Sequence, residues 1–277
     1  MVAAIGKGQI RMPPVQYAEV GYFFLDDAIS SLQPNLIGAW FFNQFTGESD
    51  EDAAFRCSQN WAPGASNQSA DRSWPGGIPT SISTDYFTFT NSRPLVTRLT
   101  LPASSTMVAI ARTLDSNIGV TASDRGFVCG TYGNTINDGD FMEFSVYSTG
   151  QFRAGASRVT GADLLTCTAQ TGSNDLDEWR MWAGVVSSTE VRAENLNPAD
   201  GSTPVPAAVT LTGGHLAGTQ TFTIGGRITS GANYNDNHKD IACVLLFDTD
   251  LSAGQLNSVQ AQLERTMAMT SLTFGTV

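Results

Sequence analysis

Lysine is almost absent from this chain of 277 residues, in which Lys7 and Lys239 are the only two. Charged residues make up 15% of the sequence, which is well below the usual share of about a quarter. The formal net charge is −11, and no cluster of arginines forms a basic stripe. Because a field of this sign repels phosphate groups, we expect neither nucleic acid nor an anionic membrane surface as a partner.

Long apolar runs are also missing. No stretch approaches the ~18 residues that a membrane span needs, so we expect no membrane insertion. Residues 1–9 contain no positive segment followed by an apolar run, so we expect no signal peptide. The sequence therefore predicts a protein that is made soluble in a cytoplasm and that, if it acts outside a cell, leaves by lysis or assembly and not by secretion.

The sequence also lacks the motifs of several kinds of functional site. No phosphate-binding glycine loop occurs, and the only histidines, His215 and His238, have no nucleophile motif nearby, so we predict neither nucleotide binding nor a hydrolase triad. The cysteines are widely spaced and form no C-x-x-C pair; they are Cys57, Cys129, Cys167 and Cys243. The apolar runs around two of them favour buried thiols, while a disulfide framework is the alternative.

The chain is instead rich in polar, uncharged residues and in segments that favour β-strands. From residue 35 onward, short apolar and β-branched segments alternate with Gly, Asn, Asp and Pro turns, which is typical of a sandwich. Residues 178–187 should form a strand with Trp179 on one face and Trp182 on the other. Residues 46–77 read as a long polar connection, and residues 252–267, with a Ser252–Gln255 capping box, as the only convincing helix.

Two distant stretches resemble one known fold family. The first is Leu36-Ile37-Gly38-Ala39-Trp40-Phe41-Phe42-Asn43, and the second runs from Ile224-Gly225-Gly226 through the apolar segment 240–248 to Leu251-Ser252. Both are similar to the concanavalin A-like lectin and glucanase (laminin G-like) jelly roll. The resemblance covers about residues 35–270 and implies an all-β sandwich with one short C-terminal helix. It does not decide the function, because this fold serves binding, assembly and hydrolysis.

The first 34 residues do not fit the sandwich pattern, so we divide the chain into an N-terminal arm, 1–34, and a sandwich domain, 35–277. Residues 26–32 could form one or two helical turns that stop before Pro34. The arm carries the aromatic cluster Tyr22, Phe23 and Phe24, which needs burial somewhere. Two alternatives stay open: an extra strand on the sandwich, or an assembly element that docks on a partner subunit.

A carboxylate pattern gives the one hint of catalysis. Asp138, Asp140 and Glu143 resemble the Glu-x-Asp-x-x-Glu strand motif of retaining glucanases with this fold, which need two carboxyls about 5–5.5 Å apart. Here Asp stands in the first position, and the surrounding residues predict a turn. We therefore predict no catalytic residue.

The candidate binding residues lie in loops. Tyr234, Asn235 and Asp236 combine an aromatic face with oxygen ligands, and Trp61 and Trp74 are the other loop aromatics that could stack on a sugar. Calcium is the one cofactor that the sequence suggests, because it binds oxygen ligands such as Asn233, Asp236 and Asp240. The alternatives are that the Asn- and Asp-rich segment is a loop that binds no ligand, and that each tryptophan only anchors its loop to the sandwich.

These observations predict a non-enzymatic structural or adhesive component of a bacteriophage particle, located in the virion: a spike, a fibre or a capsid decoration. The expected partners are other virion proteins, further copies in a homo-oligomer such as a trimer, and a host surface glycan. A carbohydrate-binding module of a non-viral protein is the first alternative. A retaining glycoside hydrolase is the weaker one, since only the carboxylate pattern favours it.

Overall fold

The computed structural model describes residues 30–65, 72–113, 126–131, 139–145, 151–157, 164–168, 176–198, 207–227 and 237–267. Within these ranges the chain forms two antiparallel sheets, two α-helices and a short 3₁₀ helix at Ser30–Asn35. The helices are α1 (Asp50–Cys57) and α2 (Ala253–Met267). The all-β sandwich that the sequence predicts is confirmed. The aromatic arm residues Tyr22, Phe23 and Phe24 lie outside the described residues.

Strands are numbered in chain order across both sheets. One sheet has eight strands: β1 (Leu36–Phe41), β3 (Ser81–Ile82), β4 (Phe87–Phe89), β6 (Ser105–Arg112), β11 (Arg180–Val186), β12 (Glu190–Asn195), β13 (Ala207–Thr210) and β15 (Lys239–Phe247). The other has seven: β2 (Arg72–Ser73), β5 (Leu95–Thr97), β7 (Gly126–Gly130), β8 (Phe141–Ser145), β9 (Gln151–Ser157), β10 (Leu164–Thr168) and β14 (Thr223–Ile224).

Strand β15 organises the eight-stranded sheet, whose order is β13-β12-β11-β6-β15-β4-β3. One edge of β15 pairs with β6 along its length, and the other edge pairs first with β4 and then with β1. The seven-stranded sheet has the order β10-β9-β8-β7-β14-β5-β2. The two ends of the sequence motif, in β1 and β15, are therefore hydrogen-bonded neighbours.

The main core lies between the sheets and is rich in aromatic rings. Trp40 stacks on Phe222 with ring centroids 5.7 Å apart, and Trp182 stacks on Phe152 at 4.6 Å. Gly38 is needed beside Trp40, because a Cβ atom there would lie 2.5 Å from the indole ring. Burial of these large rings is the main stabilising contribution of the sandwich.

A second apolar cluster covers the outer face of the eight-stranded sheet. Helix α2 lies over it with Leu256, Val259 and Leu263 buried, as the helical spacing predicts. The capping box is confirmed, since Ser252 N–H donates to Gln255 Oε1 at 2.8 Å. Trp179, which directly precedes β11, belongs to this cluster and Trp182 to the main core, which confirms that the two rings lie on opposite faces of the sheet.

Three sequence expectations need correction. Residues 46–77 are not only a connection, because they contain helix α1 and strand β2. The 3₁₀ helix includes Pro34, and its Leu32 is buried in the outer cluster. Asp240 lies within strand β15 and not in the preceding loop.

The cysteines within apolar runs, Cys129 and Cys243, are buried thiols, as the sequence predicts. Cys57, Cys129 and Cys243 are free and buried. Burial raises the pKa of the Cys57 thiol to about 11, although the neighbouring Arg56 charge opposes the shift. Burial likewise raises the pKa of Cys129 and of Cys243. These thiols are therefore protonated and unreactive at neutral pH.

Candidate ligand-binding cleft

The two described tryptophans of the predicted binding set occupy different environments. Trp61 is only 8% exposed and packs in the outer cluster, so little of its ring can meet a ligand. Trp74 is half-buried, and its ring lies 6.0 Å from that of Phe89. The other members of the set, Tyr234, Asn235 and Asp236, lie outside the described residues.

Asp240 is the one described member of the predicted calcium set, since Asn233 and Asp236 fall outside the described ranges. Its two carboxylate oxygens accept hydrogen bonds from Thr88 Oγ1 at 2.8 Å and from Arg112 Nε at 2.9 Å. Asp240 thereby ties β15 to its two neighbouring strands, and its charge is balanced by arginine. Among the described residues, no three His, Cys, Asp or Glu side chains are grouped so that they could hold a metal ion.

The carboxylates of the glucanase-like pattern have separate partners. Glu143 is fully buried on the outer face of the seven-stranded sheet, where Arg153 and Arg227 both donate to it. Asp140 precedes β8 and bonds to His215. Asp138 lies outside the described residues. The two described carboxylates are thus engaged in different ion pairs.

His215 connects three loops. Its Nδ1 lies 2.8 Å from the Ala103 carbonyl oxygen, and its Nε2 lies 2.8 Å from a carboxylate oxygen of Asp140. Since both partners accept, the arrangement favours the imidazolium ion. Burial by itself would lower the pKa of His215, but the bond and charge of Asp140, together with the Ala103 carbonyl, hold it above its ordinary value.

A cavity lies between the edges of the two sheets, where its lining joins residues of β1 to residues of β5 and β2. We call the cavity there the edge cleft; its volume is about 400 Å³. Its described lining consists of Pro34, Leu36, Ile37, Trp40, Ser58, Asn60, Pro63, Gly64, Ala65, Arg72, Thr97, Arg98 and Leu99. The lining combines apolar residues, of which Ile37 and Leu99 are half-buried, with hydroxyl, amide and guanidinium groups.

One wall of the edge cleft is the segment that follows α1, and Asn60 fixes its position. The Asn60 side chain accepts from the N–H of Ala39 at 2.9 Å and donates to the carbonyl of Ile37 at 2.8 Å. The Trp61 N–H donates to the Ala39 carbonyl at 2.8 Å. Asn60 therefore occupies the free edge of β1 as a neighbouring strand would, which satisfies the backbone there.

Helix α1 is itself fixed by local sequence. Its N-cap is Ser49, whose hydroxyl accepts from the Asp52 N–H. Arg56 binds both carboxylate oxygens of Glu48 and the backbone carbonyl of Asn43, and this fork geometry is specific to arginine. Burial alone would raise the pKa of Glu48, but its hydrogen bonds to Arg56 and to the Phe45 backbone keep it below its ordinary value.

A smaller groove adjoins the edge cleft, and the two share Ser58 and Arg72 in their linings. We call it the aromatic groove; it is lined by Glu51, Ala54, Phe55, Ser58, Arg72, Trp74 and Ile78. Phe55 is 57% exposed, and the Arg72 guanidinium lies 5.0 Å from its ring centroid. Leu216, at 44%, is the other large hydrophobic residue counted as exposed in the described ranges.

Sequence reasoning missed most of this surface. Phe55, Arg72 and Arg98 were not predicted as site residues, and Trp74 was. The signal that could have found α1 is Ser49 followed three residues later by Asp52, which is an N-cap pattern. Nothing local indicates that Arg98 faces β1, because that proximity depends on the pairing of distant strands.

Comparison with known proteins supports the fold and leaves the family open. No protein-family model matches the chain, and no curated protein matches it in sequence. Among solved structures, a botulinum neurotoxin serotype D ligand-binding domain in complex with N-acetylneuraminic acid matches with TM-score 0.56 and 8% identity, covering 85% of this chain and 53% of that one. The receptor-binding domain of a serotype C/D mosaic neurotoxin matches with TM-score 0.56 and 8% identity, covering 83% and 52%.

A third similar structure comes from work on type C botulinum neurotoxin, whose cell entry is described as dependent on two ganglioside molecules. It matches with TM-score 0.55 and 10% identity, covering 84% of this chain and 52% of that one. The chain thus spans about half the length of these structures. At such low identity the similarity shows the β-sandwich fold alone. In the described part of the chain, no helix has the length and apolar character to cross a membrane.

Proposed function

We propose that this chain is a non-catalytic carbohydrate-binding β-sandwich. The observation that carries the proposal is the edge cleft, whose volume lies within the range of about 300–1,000 Å³ that is usual for small-ligand sites. A sugar ring has apolar C–H faces and a polar hydroxyl edge, so a lining that combines apolar and polar groups suits it. The likeness in fold to a domain that binds N-acetylneuraminic acid supports the same class of ligand.

The site has two candidate locations. One is the edge cleft together with the aromatic groove. The other is the loop that holds Tyr234, Asn235 and Asp236, with calcium as an associated ion. The described geometry favours the first location, because Trp74 and Phe55 line a groove that continues the cleft.

We further propose that the protein is a structural or adhesive component of a bacteriophage particle, with the residues before 35 as its assembly element. The polar, lysine-poor β composition and the unusual N-terminal sequence support this proposal. A carbohydrate-binding module of a non-viral protein is the alternative. The neighbouring genes would separate the two, since capsid or tail genes alongside favour the particle.

The test of carbohydrate binding is a glycan array probed with the full chain. We expect Phe55→Ala to weaken binding about fivefold or more, because removing an aromatic stacking face costs about 1 kcal/mol. Leu216→Ala removes another exposed large hydrophobic side chain, away from the cleft and groove linings, and should bind as wild type does. A full array without a bound glycan would contradict the proposal.

The second location has its own variant on the same array. If the Tyr234→Ala, Asp236→Ala double variant loses binding while Phe55→Ala keeps it, the site lies at that loop. The proposal that the protein is not an enzyme is tested by incubation with polysaccharides. Sugar release by the wild-type chain that disappears in Glu143→Gln would favour the glycosidase alternative.

A further inference from the structure

One of the two lysines in this chain is buried. Lys239, the first residue of β15, is only 1% exposed, whereas lysine is almost never fully buried unless it has a partner. Its side chain runs alongside β7 of the other sheet, since a Cβ atom on Gly126 would lie 3.7 Å from its Cδ. The Lys239 amine is therefore held out of bulk water, and a desolvated lysine amine is a nucleophile that proteins use in covalent chemistry.

The amine contacts the side chain of Asn91, which lies in the turn after β4. Nζ of Lys239 is 2.6 Å from Asn91 Oδ1 and 3.3 Å from the Asn237 carbonyl oxygen. A C=O bond is about 1.2 Å long, so Nζ is at most about 3.8 Å from the side-chain carbonyl carbon of Asn91. Atoms that are placed to react are about 3–3.5 Å apart. A shift of a few tenths of an ångström therefore brings the amine nitrogen to reacting distance of that carbon.

The Asn91 amide is oriented by a second hydrogen bond. The Phe127 N–H donates to the same Oδ1 at 3.3 Å, and because an N–H only donates, this bond distinguishes the amide oxygen from the amide nitrogen. Two donors at one carbonyl oxygen stabilise the negative charge that develops there when the carbon is attacked. Asn91 is only 8% exposed, so water has little access to compete with the amine.

We propose that Lys239 and Asn91 form an isopeptide bond in the mature protein. Nζ of Lys239 bonds to Cγ of Asn91, and the bond between Cγ and Nδ2 breaks. The amide nitrogen leaves as ammonium and carries away the two protons that the lysine ammonium gives up. Atoms and charge balance without an oxidant, a cofactor or a second reactant. Holding the two groups together supplies the effective concentration, and the reaction has to occur only once in each molecule.

The bond links two positions that are 148 residues apart in sequence. It joins β15 to the turn after β4, at the place where that turn also bonds to β7 of the other sheet. A covalent link that closes a long loop restricts the unfolded chain more than the folded one, as a disulfide does, and so stabilises the fold. The proposal goes beyond carbohydrate binding and does not depend on it.

The test is the intact mass of the denatured full chain, measured by mass spectrometry. We expect a mass that is lower than the mass of the sequence by one ammonia molecule. Trypsin should fail to cleave after Lys239 and should release a branched peptide in which residues 73–98 are joined to residues 228–265. Lys239→Met should show the full mass of its own sequence. Lys7→Met makes the same change at the only other lysine and should keep the deficit.

Two results overturn the inference. The first is a wild-type chain that has its full sequence mass, both when freshly purified and after prolonged incubation, since the contact is then only a hydrogen bond. The second is a deficit that persists in Lys239→Met, because the ammonia then comes from another residue. If Lys239→Met does not fold, the presence or absence of the branched peptide in the wild-type digest gives the answer. The glycan array tests carbohydrate binding separately, so either proposal can fail without the other.

Discussion

Glycine at position 225 shows how one residue can be required for two reasons. Its φ is +78°, and a Cβ atom there would lie 2.0 Å from the Phe89 ring. The adjacent Gly226 would bring its Cβ within 2.5 Å of the Asn91 carbonyl oxygen. The two glycines of the Ile-Gly-Gly motif therefore allow the chain after β14 to pack against the Phe89 ring of β4 and against the backbone just after β4.

We predict that Gly225→Ala destabilises the protein by roughly 3 kcal/mol, the sum of left-handed strain and overpacking against Phe89. The matched control is Gly64→Ala, since Gly64 also has a positive φ, +76°, but its Cβ would have no atom within 4 Å. The control should lose only about 1 kcal/mol. Urea unfolding measures both; equal losses would show that packing at Phe89 is unimportant.

The second residue-scale prediction concerns pH. The pKa of His215 is raised in the folded state, so its contribution to stability is complete below its unfolded pKa of about 6.5 and is lost as pH rises through the folded pKa. We expect His215→Gln to lose more unfolding free energy at pH 5.5 than at pH 9. His238→Gln removes the other, exposed histidine as a control. A loss for His215→Gln that grows with pH would contradict the assigned ion pair.

At the scale of elements, the chain depends on side chains that complete backbone edges. Strand β1 pairs with β15 on one side only, and Asn60 with the Trp61 backbone covers its other side. This arrangement both protects an edge strand and places the wall of the edge cleft. Stability and the binding geometry therefore share one residue.

We predict that Asn60→Ala costs about 3 kcal/mol, because the buried N–H of Ala39 and the carbonyl of Ile37 each lose a partner. Asn35→Ala removes an exposed bond to Asp248 and should cost within about 0.5 kcal/mol. Thermal or urea unfolding compares the two variants. A small loss in Asn60→Ala would show that water replaces the amide and that the wall is held by other contacts.

At the scale of the whole molecule, the sandwich has two apolar layers, one between the sheets and one under α2. Leu32 in the 3₁₀ helix belongs to the second layer, so the 3₁₀ helix is part of the sandwich packing. This places the boundary for a truncation just before Ser30, inside the N-terminal segment that we propose for assembly.

We predict that deleting residues 1–29 leaves a folded β-domain that no longer oligomerises or enters particles. The reason is that the aromatic cluster Tyr22, Phe23 and Phe24 does not fit the sandwich pattern of the sequence, so we propose that it docks on a partner subunit. Circular dichroism and sedimentation measure the fold and the oligomeric state of each chain. A truncated chain that fails to fold would assign the segment to the sandwich core instead.

The sequence by itself determined the features that depend on near neighbours. The alternation of Trp179 and Trp182 follows from the two-residue period of a strand, and α2 follows from its capping box and helical spacing. The resemblance of the two end motifs predicted a jelly-roll sandwich, and the structure confirms a β-sandwich of two antiparallel sheets with a C-terminal helix. Helix α1 was missed because it has only eight residues within a polar stretch, where hydrophobic periodicity is weak.

Only the tertiary structure decided which residues surround the edge cleft. Its lining combines Asn60 from the segment after α1 with Arg72 from β2, Arg98 from just after β5 and residues of β1. These residues are far apart in sequence and are brought together by the pairing of distant strands, so no local sequence pattern predicts that they lie close to one another. The burial of Trp61 and the ion pair of Asp240 have the same origin. The sequence placed both residues in loops, but when distant strands meet, Trp61 packs in the outer cluster and Asp240 pairs with Arg112.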